Sequence, residues 1–139
     1  MFENPAKSEI DALLRRARTI AILGLSESEE KPSYHVAQKL QKFGYRIVPV
    51  NPTASQILGE PAWPDLESAL KGAGPVDIVD VFRRPEHVAG IVDEAIRLNV
   101  PALWLQEGVV DEGAASRARD AGIFTVMDRC IYKVRAALV

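Results

Sequence analysis

The chain has 139 residues, of which 47% are hydrophobic and 26% charged, with a formal net charge of −2. That is the composition of one ordinary folded domain, and it excludes disorder, collagen or coiled coil over the whole length. The near balance of 17 basic against 19 acidic side chains gives no global pull toward nucleic acid. A single cysteine, Cys130, excludes an internal disulfide and suits a reducing compartment. One Cys with the distant His35 and His87 does not make a structural zinc site. No apolar run approaches the roughly 18 residues of a membrane span. Residues 1–5 lack the basic-then-apolar order of a signal peptide, so a cytoplasmic location without a membrane partner is expected.

Residues 8–18 carry Ile10, Leu13, Leu14 and Ala17 at helical spacing, with Ser8 or Asn4 as capping candidates and arginines at the negative end of the dipole. Residues 19–24 form a short, branched apolar run ending in glycine, the pattern of a strand buried on both faces. Residues 25–32 are polar and read as a loop. The spacing of Val36, Ala37, Leu40 and Phe43 predicts a helix over 33–43, closed by Gly44. Residues 45–50 predict a second strand, stopped by Asn51-Pro52. Glycines and prolines then break the pattern over 53–75, with a brief turn-back at 57–60 and a short helix over 66–71 starting near Asp65. Residues 76–82 predict a third strand. Pro85 suits the first turn of a helix that continues through Leu98. A fourth strand over 101–105, a helix over 111–121 stopped by Gly122, a fifth strand over 123–127 and a closing helix over 131–138 complete the chain.

Strands and helices that alternate in this way need crossovers, and right-handed crossovers build a parallel sheet covered on both sides. The expected architecture is α/β: a single doubly wound, mostly parallel five-stranded sheet with helices on both faces, spanning residues 1–139. In such a sheet a ligand binds beyond the carboxyl ends of the strands. The segments to weigh are therefore 24–33, 51–52, 82–85 and 106–108.

The first of these segments does not fit an ordinary dinucleotide fold. G-x-G-x-x-G would follow the first strand and a carboxylate would end the second. Here only Gly24 is present, and the second strand ends in Val50-Asn51-Pro52. No P-loop pattern occurs either. Anion binding remains open: the helix beginning near Pro32-Ser33 offers free N–H groups, Ser26, Ser28 and Ser33 offer hydroxyls, and Lys31 a charge. The same serines are equally at home as caps of a solvated loop. Arg83-Arg84 sets two adjacent cations at the mouth of the sheet and suits a phosphorylated ligand; its structural alternative is pairing with acids such as Glu86. Trp104 reads as core. Gln106 and Gly108 place an amide and an open backbone at the end of the fourth strand.

Taken in order, the motifs are Gly-x-Ser at 24–26, Lys-Pro-Ser at 31–33, Gly-Tyr-x-x-x-Pro-Val-Asn-Pro at 44–52, Val-Asp-x-Val-x-Val-Phe at 76–82, Trp-x-Gln-x-Gly at 104–108 and Asp-Arg-Cys at 128–130. This series, over residues 8–135, resembles the small CoA-binding proteins similar to the N-terminal domain of the succinyl-CoA synthetase α subunit. The resemblance implies a Rossmann-like domain holding coenzyme A or an acyl-CoA at the strand ends. On that resemblance Gly24, Leu25 and Ser26 approach the phosphates, and Lys31 and Ser33 contact the phosphate or adenosine portion. Asn51 and Pro52 line the nucleotide side, while Phe82, Arg83, Gln106, Glu107 and Gly108 border the same cleft. In the synthetase the reaction needs a phosphorylated histidine and a nucleotide-grasping subunit that lie outside the domain resembled. Neither His35 nor His87, each placed on a crossover helix, stands at a matching motif, so both read as surface or packing residues and no ligase activity is carried over.

Cys130 reads as a small apolar core residue, with a reactive thiol beside Arg129 as the alternative. Asp77 and Asp80 point to opposite faces of their strand and form no acid/base pair; Asp80 is expected to cap or pair within the sheet. The leading expectation is a non-catalytic protein for a small nucleotide ligand. The alternatives are a divergent NAD(P)-dependent oxidoreductase, and an interaction module acting with a synthetase-like subunit or as a homodimer.

Overall fold

The structure is a computed structural model that describes residues 1–138. Five strands form one wholly parallel sheet: β1 (Thr19–Leu23), β2 (Arg46–Val50), β5 (Ile78–Val81), β6 (Ala102–Leu105) and β7 (Phe124–Val126), in the order β2-β1-β5-β6-β7. A two-stranded hairpin, β3 (Gln56–Ile57) with β4 (Glu60–Pro61), lies in the connection after β2, where the sequence predicted a turn-back. The chain winds outward from β1 to β2, then returns past β1 to β5. That reversal leaves a crevice at the carboxyl ends of β1 and β5, the topological switch point of the sheet.

Period-two alternation sorts each strand's side chains between two cores. Ala21, Leu23, Val48, Val79, Val81, Leu103 and Leu105 face one side, where they meet α3 (Leu66–Ala73), α4 (Val88–Arg97) and α5 (Glu112–Asp120). Ile20, Ile22, Ile47, Ile78 and Trp104 face the other and meet α1 (Lys7–Arg16), α2 (Pro32–Lys42) and α6 (Ile131–Ala136). Three helices cover each face, so the central strands β1, β5 and β6 are buried on both sides, as their unbroken apolar runs require. Trp104 is fully buried, and its indole N–H donates to the Arg129 carbonyl at 2.9 Å, so the largest core side chain hides no unpaired donor.

Helix starts are set locally where a carboxylate is available. Asp65 accepts from the Ser68 N–H at 2.7 Å and Asp111 from the Ala114 N–H at 3.0 Å. The start of α1 differs from expectation: neither Asn4 nor Ser8 caps it. Its N-cap is Ala6, without a side-chain bond, and Ser8 lies inside the helix. Asn4 instead faces the far end of the sheet, where its amide donates to the Met127 carbonyl (3.0 Å) and accepts the Met127 N–H (2.7 Å). Pro85 opens a single 3₁₀ turn, Pro85–His87, rather than the α-helix itself, so His87 sits before α4 and not within it.

The two aspartates on and before β5 behave differently from one another. Asp77 accepts from the backbone N–H groups of Arg18 and Thr19 (2.7 and 2.9 Å) and ties the entry of β1 to that of β5. Asp80 neither caps nor pairs, which corrects the sequence expectation. It is fully buried between Ile22 and Trp104 in the sheet register, and neither carboxyl oxygen has a hydrogen-bond partner. Burial pushes its pKa well above the usual carboxylate range; the nearby Val81 amide pulls the other way without hydrogen-bonding geometry, and less strongly. Cys130 is half-buried against the core and forms the N-cap of α6.

Candidate functional site

The cleft is built first by the way β1 ends. Gly24 takes φ +81°, and its N–H donates to the Val50 carbonyl at 3.1 Å while the Phe82 N–H donates to the Leu23 carbonyl at 2.9 Å. The three strand ends are thus laced together. A β-carbon at Gly24 would meet the Phe82 carbonyl oxygen at once and would lie 2.8 Å from Arg83 Cδ. The glycine therefore serves the approach of β5 and its arginine to β1, with its missing side chain filled by protein.

The loop that follows is braced from within. Leu25 is fully buried, so its side chain belongs to the core and does not reach a ligand. Its carbonyl accepts the Asn51 amide at 2.9 Å. The same Asn51 accepts the N–H groups of Thr53 and Ala54, each at 2.9 Å. Both ends of the Asn51 side chain are thus engaged by the protein, and its role is to join the β1 and β2 loops. Ser33 Oγ accepts the Ser26 N–H, and Ser26 Oγ accepts the Ser28 N–H, both at 3.0 Å. Each of these hydroxyls still has a proton to donate. Lys31 is the N-cap of α2, with Pro32 in the first turn, and no side chain caps the helix. Pro32 has no N–H, and the Lys31 and Tyr34 N–H groups donate to the Ser28 and Lys31 carbonyls, each at 3.1 Å, so the Ser33 N–H is the one first-turn donor left open at the positive end of α2.

Gly24, Ser26, Lys31, Ser33, Phe82, Arg83, Gln106 and Glu107, all expected from the sequence, line one cleft of about 750 Å³. Pro32 and Arg84, which the sequence marks as the helix start and as the second cation at the sheet mouth, complete it together with His87 and Val109, to which the sequence assigns no binding role. Gln106 is buried, and its carbonyl oxygen accepts the Ile131 N–H at 3.0 Å, which fixes the start of α6 against β6. Gly108 does not line the cleft; its N–H donates to Asp128 at 2.8 Å and ties the β6 and β7 loops together. Pro52 lies in a second, smaller hollow of about 180 Å³ whose apolar wall is Leu23, Val50, Pro64, Leu66 and Ile91, with the carboxylates Asp65 and Glu94 also on its lining. Gly24 and Arg83 belong to both hollows, so Arg83 stands at the boundary between a polar lobe and a more apolar one.

The electrostatics of the large cleft are one-sided. Among the described residues, Lys31 and Arg83 have no carboxylate within ion-pair distance. Glu107 is the one acid lining the cleft, and Lys133 holds it at 3.1 Å. A protein of net charge −2 thus sets two cations without carboxylate partners, Lys31 and Arg83, at the switch point of its sheet. No cluster of His, Cys, Asp and Glu that could hold a metal occurs among the described residues, and none of their helices is long and apolar enough to cross a membrane.

An open parallel α/β sheet with a cationic cleft beyond its strand ends defines a Rossmann-like fold with the features of a nucleotide-type site. The chain belongs to the CoA binding domain family, whose model matches residues 18–136. It is 40% identical over 135 residues to YneT, an uncharacterized protein of Bacillus subtilis (strain 168), covering 97% of this chain and 98% of that one. Among solved structures it is similar to the cell-free ID.343 protein of Thermus thermophilus, with 34% identity, a TM-score of 0.88 and coverage of 97% of this chain and 100% of that chain. The same fold recurs, at 19% identity and a TM-score of 0.67, within the acetyl-coenzyme A synthetase 1 of Ca. Korarchaeum cryptofilum; the match covers 84% of this chain and 28% of that one.

Proposed function

We propose that this protein binds coenzyme A or an acyl-CoA in the cleft at the carboxyl ends of its strands and carries out no reaction on it alone. The observation that carries the reading is the placement of Lys31 and Arg83. They line the same cleft from the start of α2 and the end of β5, and neither has a carboxylate partner among the described residues. Two such cations beside an uncapped helix N-terminus suit a pyrophosphate, because charge-assisted hydrogen bonds and the helix dipole act on the same anion. The apolar wall of the smaller hollow beyond Arg83, formed by Leu23, Val50, Leu66 and Ile91, gives a neighbouring surface for a less polar part of the ligand. Membership of the CoA binding domain family supports coenzyme A over other nucleotides. The single glycine of the β1 loop, with no acid at the end of β2, argues against a nicotinamide dinucleotide.

Calorimetry with coenzyme A and, separately, NADH tests the reading. Saturable binding of coenzyme A with none of NADH supports it, and the reverse pattern rejects it. Mass spectrometry of small molecules released from the gently denatured protein gives an independent check.

A further inference from the structure

Arg84 and His87 line the cleft from one 3₁₀ turn, in which the His87 N–H donates to the Arg84 carbonyl at 2.9 Å. A guanidinium and an imidazole are thereby set three residues apart on the same short segment. Arg84 has Glu86 as its acidic neighbour, at 3.8 Å and with both side chains largely exposed, a pair that solvent leaves weak. Lys31 and Arg83 already supply the two cations that a pyrophosphate needs. The turn therefore adds a guanidinium and a further N–H donor beyond that requirement, in a cleft lined by one carboxylate among the described residues, Glu107, which has Lys133 at 3.1 Å. A phosphomonoester, unlike a bridging phosphate, carries a second ionisation near about 6 and is close to a dianion at neutral pH, so it repays an additional pair of donors.

We propose that Arg84 and His87 form a separate phosphomonoester-holding pair, so that the cleft prefers a nucleotide bearing a terminal phosphomonoester besides its pyrophosphate over the same nucleotide without it. This inference rests on the coenzyme A reading above and adds a source of selectivity within it. The comparison that tests it is coenzyme A against dephospho-coenzyme A, which differ by that one group, titrated calorimetrically into the full chain at low salt. Coenzyme A binds tighter by about tenfold or more, the effect of one charged hydrogen-bonding group. Arg84→Ala and His87→Gln each narrow the ratio to about threefold or less and leave the affinity for dephospho-coenzyme A within about twofold. Both side chains are exposed, so neither change touches the core. Equal affinities in the unaltered protein, or variants that weaken both ligands alike, overturn the proposal and leave the coenzyme A reading standing. Failure of both ligands to bind overturns that reading and the proposal with it.

Discussion

The side chain of Arg83 lies across Gly24, with its Cδ 2.8 Å from the point where a β-carbon on that glycine would stand. The residue that ends the first strand is thus also the floor under the cation that divides the two hollows of the site. Gly24→Ala meets both a left-handed backbone (φ +81°) and the Phe82 carbonyl. The expected cost is about 2 kcal/mol or more, read as a lower denaturant midpoint at unchanged slope. The displaced arginine also weakens coenzyme A binding at temperatures where the variant remains folded.

Removing the cations separately tests the electrostatic basis of the cleft. Arg83→Ala and Lys31→Ala are each expected to weaken coenzyme A binding by about tenfold or more, the range for one hydrogen bond to a charged group. Lys31 is exposed at the helix start, so its removal leaves the melting temperature nearly unchanged. Titration at increasing salt checks the mechanism: affinity falls with ionic strength in the unaltered protein and less steeply in either variant.

Asp80 gives the fold a definite response to pH. Its folded pKa is raised by burial, so the folded state holds the proton more tightly than the unfolded chain. Its contribution to stability is complete below the ordinary aspartate range. As pH rises above that range the unfolded chain loses the proton first, and the contribution is lost progressively up to the folded pKa. Asp80→Asn removes that dependence. The variant is expected to gain stability relative to the parent as pH rises above the ordinary aspartate range, with the gap closing below about pH 4. Urea melts across pH measure this directly, and a gap that stayed constant with pH would contradict it.

Asn4 bonds both backbone groups of Met127 across 123 residues of sequence. Asn4→Ala leaves that donor and acceptor without a partner and is expected to cost about 1–2 kcal/mol. Hydrogen exchange at the Met127 amide should quicken before exchange at the central strands does.

The alternation of branched apolar runs with amphipathic segments made the sheet and its two layers legible, because burial on both faces leaves an unbroken hydrophobic signature in a strand. The polar residues were legible as neighbours of a site but less so in their roles. Asn51 reads as a turn residue, yet its amide joins the β1 loop to the β2 loop, a link set by distance in space. Asn4 reads as a cap for the same reason: its partner is far away in the chain. Leu25 carried a motif position but is buried by the turn that follows Gly24. His87 read as a surface or packing residue of a crossover helix. A 3₁₀ turn in place of the first α-helical turn sets it on the cleft wall instead, and composition gives no hint of that choice. Asp80 has a charged residue's letter in a hydrophobic pattern, and the sheet's register prevailed over it.

The Asn4 clamp has a counterpart at the opposite border of the sheet. There the Trp63 N–H donates to the Pro49 carbonyl and the Trp63 carbonyl accepts the Asn51 N–H, at 3.0 and 2.8 Å, and Pro49 itself has no N–H to offer. Each outermost strand is therefore stitched at its carboxyl end by a stretch of the same chain. A second polypeptide therefore finds the backbone groups of Met127, Pro49 and Asn51 already engaged and has no ladder to extend at those points.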